Sequence, residues 1–224
     1  MTRVARQRLK KDPQFNQRMA ARFGGPAPTT PAPAFSKNER FYSDISRCFI
    51  EIDTSLDALR ALPRLARRAP SPAAKVSATS YLRFLVESYL QEVYVCSKRL
   101  DAFTSKLGRL YRKDEPSTAD ALRKLKRAIV EGFGPICKLR GRYVHETRDF
   151  DEDLSVLSTF QLLVGEDAPE YVAALRSFRK IKLQWMHLGN IEIDRFLGEF
   201  FDALCRLLLH RNGRIRVPPT YRAS

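Results

Sequence analysis

The stretch that decides the fold is Ser77–Arg112, SATSYLRFLVESYLQEVYVCSKRLDAFTSKLGRLYR. Its apolar residues Leu82, Leu85, Val86, Tyr89, Leu90, Val93, Leu100, Phe103, Leu107 and Leu110 recur at steps of mostly three and four. Such steps bring side chains onto one face of a helix, whereas a strand repeats every second residue. A helix this long buries only a stripe, so it needs other helices against that stripe.

The flanking sequence supplies them. Upstream, Phe41, Ile45, Cys48, Phe49, Ile52, Leu56 and Leu59 predict a helix over 38–62, stopped by Pro63. The loop 63–75, PRLARRAPSPAAK, is basic. Downstream, a third helix opens at Ser117 as N-cap, with Asp120 at its third position, and carries Leu122, Leu125, Ile129, Phe133, Ile136 and Leu139. Gly132, Gly134 and Pro135 predict a kink or break within it. A fourth, shorter helix covers 151–164. A fifth follows Asp167, with Pro169 near its start and an apolar stripe from Tyr171 to Leu207. Gly189-Asn190 marks its expected bend or break. No strand alternation and no internal repeat is visible. The fold class is therefore all-α, an antiparallel helical bundle of about five helices.

Charge divides the chain further. Forty Lys and Arg against 25 Asp and Glu leave a formal +15. Residues 1–37 hold eight of those cations and one acid, hence +7 of the +15. Phe23–Phe35, FGGPAPTTPAPAF, reads as an extended Pro-rich linker. The expected organisation is a disordered basic arm and linker (1–37), the bundle (38–212) and a short basic tail without an element of its own (213–224). Such a balance favours polyanionic partners, nucleic acid or an anionic membrane surface.

Cys48, Cys96, Cys137 and Cys205 form no C-x-x-C pair and fall in helical patterns, as expected of reduced core thiols. No run of 18 apolar residues and no secretory h-region is present, which points to a cytoplasmic protein without a transmembrane segment. No P-loop, dinucleotide fingerprint, nucleophile elbow or zinc spacing occurs, so no cofactor and no metal is expected.

Chemistry concentrates in Leu139–Leu154, LRGRYVHETRDFDEDL. Arg140 and His145 stand where the third helix's apolar pattern runs out, beside Lys138 and Arg142. An imidazole exchanges a proton near neutrality, and a guanidinium matches a phosphate. If the helix continues through both residues, five positions offset them by about 140° around the axis; if it frays after Arg140, they converge. The acids that follow, Glu146, Asp149, Asp151, Glu152 and Asp153, lack the glycine and the terminal glutamate of a calcium loop. They read as a negatively charged start to the fourth helix. His187, between Trp185 and Asn190, reads as a buried or half-buried structural residue, and His210 as a cation at the end of the fifth helix.

RGRYVHE, with Arg-x4-His closing a long helix of an all-α bundle, resembles the signature of the HEPN superfamily. The resemblance covers roughly residues 38–210, with Arg140 and His145 on the two defining positions. It implies a HEPN-like fold and a homodimer that joins two motifs. It also implies metal-independent endoribonuclease activity, with Arg140 and His145 catalytic and Lys138 and Arg142 on substrate phosphates. In that chemistry a 2′-OH attacks the neighbouring phosphate and leaves a 2′,3′-cyclic end. Toxin, phage-defence and RNA-processing roles belong to such proteins, with RNA as substrate and an antitoxin or other protein as partner. Gly141 and Thr147 depart from the polar residue and the tyrosine that parts of the family carry there. The alternative function is a non-catalytic helical module, HEPN-like or not, that binds nucleic acid or a partner protein. A third is attachment of the arm to an anionic membrane.

Overall fold

The computed structural model describes residues 15–26, 36–70, 75–145 and 152–221. Helices α1 (Phe15–Ala21), α2 (Lys37–Ala66), α3 (Ala78–Tyr111), α4 (Pro116–His145), α5 (Glu152–Val164) and α6 (Pro169–Leu208) account for most of them. The fold is all-α, and none of these helices is long and apolar enough to cross a membrane.

Contacts between named residues fix the directions. Along α2 and α3, Asp44 meets Lys106 and Ser55 meets Arg99, an antiparallel pairing. Along α3 and α4, Asp101 meets Lys126 while Gln91 meets Arg140, again antiparallel. The same holds for α2 and α6, through Phe49–Phe201 and Arg60–Asp194. It also holds for α5 and α6, through Asp153–Lys182 and Gln161–Tyr171. Thr79 meets Tyr171 and Tyr89 meets Met186, so α3 and α6 run together. α4 and α5 thus descend one after the other, against the ascending α3 and α6. The apolar face of α3 lies at the centre, with Leu85, Tyr89, Val93, Cys96, Leu100 and Phe103 at most 2% exposed.

Five sequence expectations fail here, each for a local reason. α1 lies inside the stretch expected to be disordered. It closes where Gly25 N–H donates to Ala20 O and Gly24 N–H to Ala21 O, the double bond of a Schellman stop. α4 begins at Pro116, a residue suited to the first helical position because its missing N–H has no partner there, so Ser117 lies inside the first turn. Of the kink or break expected at Gly132, Gly134 and Pro135, the break does not occur, because the helix is continuous through them. Gly132 serves contact instead, since a Cβ there would sit 2.9 Å from the Phe196 ring. Finally, the C-terminal tail has structure. Leu209 bridges Ile215, Arg216 N–H donates to Leu208 O, and a 3-10 turn covers Pro219–Tyr221. Its Tyr221 ring packs on Phe41, and the buried Tyr111 hydroxyl donates to Arg216 O. α6 ends two residues before His210, so Arg206, not His210, stands in its last turn.

The two remaining expected breaks, Pro63 and Gly189-Asn190, explain each other. Proline at 63 cannot donate to the carbonyl four residues back, which is that of Leu59. α2 nonetheless continues to Ala66. Asn190 Nδ2 donates to Leu59 O at 3.0 Å, replacing the lost partner from across the interface. Asn190 Oδ1 also accepts from the Tyr89 hydroxyl at 3.1 Å. Gly189 makes room, because a Cβ there would fall 2.4 Å from that hydroxyl. Asn190→Ala is expected to cost about 1–3 kcal/mol, since it leaves the Leu59 carbonyl without its donor, while the Tyr89 hydroxyl keeps Met186 O as acceptor at 3.2 Å. In a Pro63→Ala background the cost should shrink by roughly 1 kcal/mol, because residue 63 again donates to Leu59. Urea denaturation of the four proteins measures this, and equal costs in both backgrounds would refute it.

Candidate functional site

α4 reaches His145 without fraying, so the first alternative for the motif holds: the Cα atoms of Arg140 and His145 stand about 140° apart around one helix. Arg140 is half-buried. Its Nε donates to Gln91 Oε1 at 3.1 Å, and its guanidinium lies 4.5 Å from the centre of the Tyr94 ring. Stacking on an aromatic face leaves the planar fork oriented, with its terminal nitrogens making no hydrogen bond among the described residues. Lys138 is exposed. The side chains of Arg142 and His145, and the acids Glu146, Asp149 and Asp151, lie outside the described residues. Gly141 faces open space, with no atom within 4 Å of a Cβ built there.

The acids that are described behave as a helix start. Glu152 and Asp153 occupy the first turn of α5, and Asp153 accepts from Lys182 at 3.1 Å. Beside them, Val86, Leu139, Ile181 and Trp185 line a shallow depression of about 340 Å³. Carboxylates thus stand next to the motif.

Three other depressions carry cations: a wide, open one of about 990 Å³ between the start of α2 and the C-terminal segment, with His210, Arg211 and Arg214, and two that lie between helices. The larger of these two, about 600 Å³, lies between the end of α3 and the start of α4, with Arg109, Arg112, Arg123 and Lys126 around it. Two of its four cations are engaged: Lys126 pairs with Asp101 at 3.3 Å, and Arg123 pairs with Asp120. The smaller, about 410 Å³, lies between the end of α2 and the first half of α6. Arg67, Arg176, Arg179, Lys180 and His187 line it, with no acid among them. His187 is exposed, contrary to the structural role expected for it. Its buried neighbour is Met186, which takes the core position instead.

Sequence reasoning missed Gln91 and Tyr94, which hold Arg140, and the cationic stripe of α6. The stripe was readable: Arg179, Lys180 and His187 follow Arg176 by three, four and eleven positions, as one helix face requires. Gln91 and Tyr94 carried no such signal, because they become neighbours of Arg140 only through tertiary pairing. The thiols also divide. Cys96 is buried and pushed up to about 12 by that burial, whereas Cys205 is exposed and not a core residue.

Compared with known proteins, the chain matches no family model, no curated protein and no solved structure.

Proposed function

We propose that the chain is a nucleic-acid-binding helical module. The observation that carries this reading is its surplus of positive charge, +15 in 224 residues, combined with cation-lined depressions on the described surface. Cations on such surfaces displace the counterions of a phosphate backbone, which supplies sequence-independent affinity. The basic N-terminal stretch adds to that affinity. Titrating labelled single-stranded RNA of mixed sequence is expected to give binding whose logarithm falls linearly with the logarithm of salt. Removing residues 1–35, which keeps the Ser36 cap, should make that slope shallower by up to about five for the seven cations lost. Failure of the full chain to bind RNA at about 50 mM salt would sink this reading.

A second reading is favoured by the oriented guanidinium of Arg140. It is metal-independent RNA cleavage of the HEPN type, with Arg140 stabilising the dianionic transition state and His145 moving the 2′-OH proton. One imidazole cannot act at once as base and acid, and five helical positions set the Cα atoms of Arg140 and His145 about 140° apart. A homodimer supplies the complementary pair in this reading. The two readings separate in one experiment. RNA incubated in EDTA with wild type and His145→Ala stays intact with both under the binding reading. Cyclic-phosphate ends from wild type alone would establish the enzyme.

A further inference from the structure

We infer that the groove between the end of α2 and the first half of α6 is the seat of the phosphate backbone, an inference that rests on the nucleic-acid reading above. The larger of the two cationic depressions between helices is the obvious candidate, and charge accounting argues against it. There Lys126 and Arg123 are already paired with Asp101 and Asp120, which leaves two of the four cations, Arg109 and Arg112, to meet a phosphate. In the smaller groove Arg67, Arg176, Arg179 and Lys180 form no ion pair among the described residues. Asp194, two turns beyond His187 on α6, bonds Arg60 at 2.9 Å.

Four cations facing one concave space repel one another, and a polyanion relieves that repulsion while releasing its own counterions. The C-terminal end of α2 contributes only about half a negative charge, which Arg67 alone outweighs. His187 adds a ring N–H donor at the far end of the stripe. From Arg176 to His187 the stripe covers about 16 Å of helix, room for several consecutive phosphates. Half-buried Leu183 forms part of the floor and packs against the core, so the cations stand on a rigid wall. The groove is shallow and open, so a strand laid along it meets the cations through its phosphates while its bases stay in solvent. The occupant we assign is therefore a nucleic-acid strand held through its phosphodiesters.

The test compares two double variants of the full chain with equal change in charge. Arg176→Glu with Lys180→Glu reverses two exposed cations in the groove, and Arg109→Glu with Arg112→Glu reverses two exposed cations at the other depression. Circular dichroism checks that both remain helical, and Arg176→Gln with Lys180→Gln replaces the first pair if it does not. With labelled single-stranded RNA at constant salt, the groove variant is expected to lose about tenfold or more in affinity and to flatten the salt slope by about 1.4, for two contacts. The control should change by only a few-fold. Equal losses in both variants, or none in the groove variant, would overturn the groove while leaving the nucleic-acid reading intact. No RNA binding by wild type would overturn both. Binding of phosphatidylserine vesicles that vanishes in the groove variant, with RNA binding unaffected, would give the site to a membrane and overturn the assignment.

Discussion

Phe41→Ala should destabilise the bundle by about 3–5 kcal/mol, the range for emptying a fully packed aromatic site. Phe41 has no exposed surface. Its ring lies 5.4 Å from that of Tyr42, 6.5 Å from Tyr111 and 5.6 Å from Tyr221, so it joins the start of α2, the end of α3 and the C-terminal turn. Truncation removes the surface on which Tyr221 rests and opens a cavity beside the Tyr111 ring. The C-terminal segment should then detach before the rest unfolds. In urea, the variant should show a lower midpoint, and trypsin should clip after Arg214 or Arg216 sooner than in wild type. A loss below about 1 kcal/mol would show that the segment is not held through this cluster.

Raising the pH above about 9 should weaken the fold steeply. Burial pushes the Cys96 thiol from 9.0 up to about 12 and pushes the Tyr89 and Tyr111 phenols above their ordinary 10.0. In each case the folded state holds its proton more tightly than the unfolded chain does. Stability from these groups is complete below the unfolded pKa and is lost as pH rises towards the folded one. For Cys96 alone the loss approaches about 4 kcal/mol by pH 12, at 1.36 kcal/mol per pKa unit. The tyrosines join above about pH 10. Urea midpoints measured from pH 8 to 11 should therefore be flat and then fall, and Cys96→Ala should delay the fall. A wild-type profile that stays flat to pH 11 would contradict the burial of all three.

How much of this was written in the residues depends on the range of the interactions involved. The helices were legible because their apolar stripes are local and repeat over many turns, as Leu82 to Leu110 shows. Their interruptions were misjudged because proline and glycine act locally as breakers, while tertiary partners cancel the penalty. Pro63 is tolerated through Asn190, and Gly132 is occupied by Phe196. The tail was misread for the same reason, since Val217 and Tyr221 find a surface only after α2 and α3 have paired. At the motif, Arg140 could be picked out by spacing, but its partners lie 49 and 46 positions upstream. The cationic groove joins two helices more than 100 positions apart, so only its α6 half had a pattern to read.

The bond from Asn190 to the carbonyl that Pro63 leaves vacant has one more consequence, which concerns alignment and not strength. Apolar stripes are forgiving: a helix slid by one turn, about 5.4 Å, still presents Leu or Phe to its neighbour. A side-chain amide that must meet one particular carbonyl on α2 and one phenol on α3 tolerates no such slip. The glycine beside it admits the phenol at a single level along α6. Proline, glycine and asparagine thus work as a three-helix key that sets α6 at one height in the bundle. That height decides which turn of α6 stands opposite Arg67.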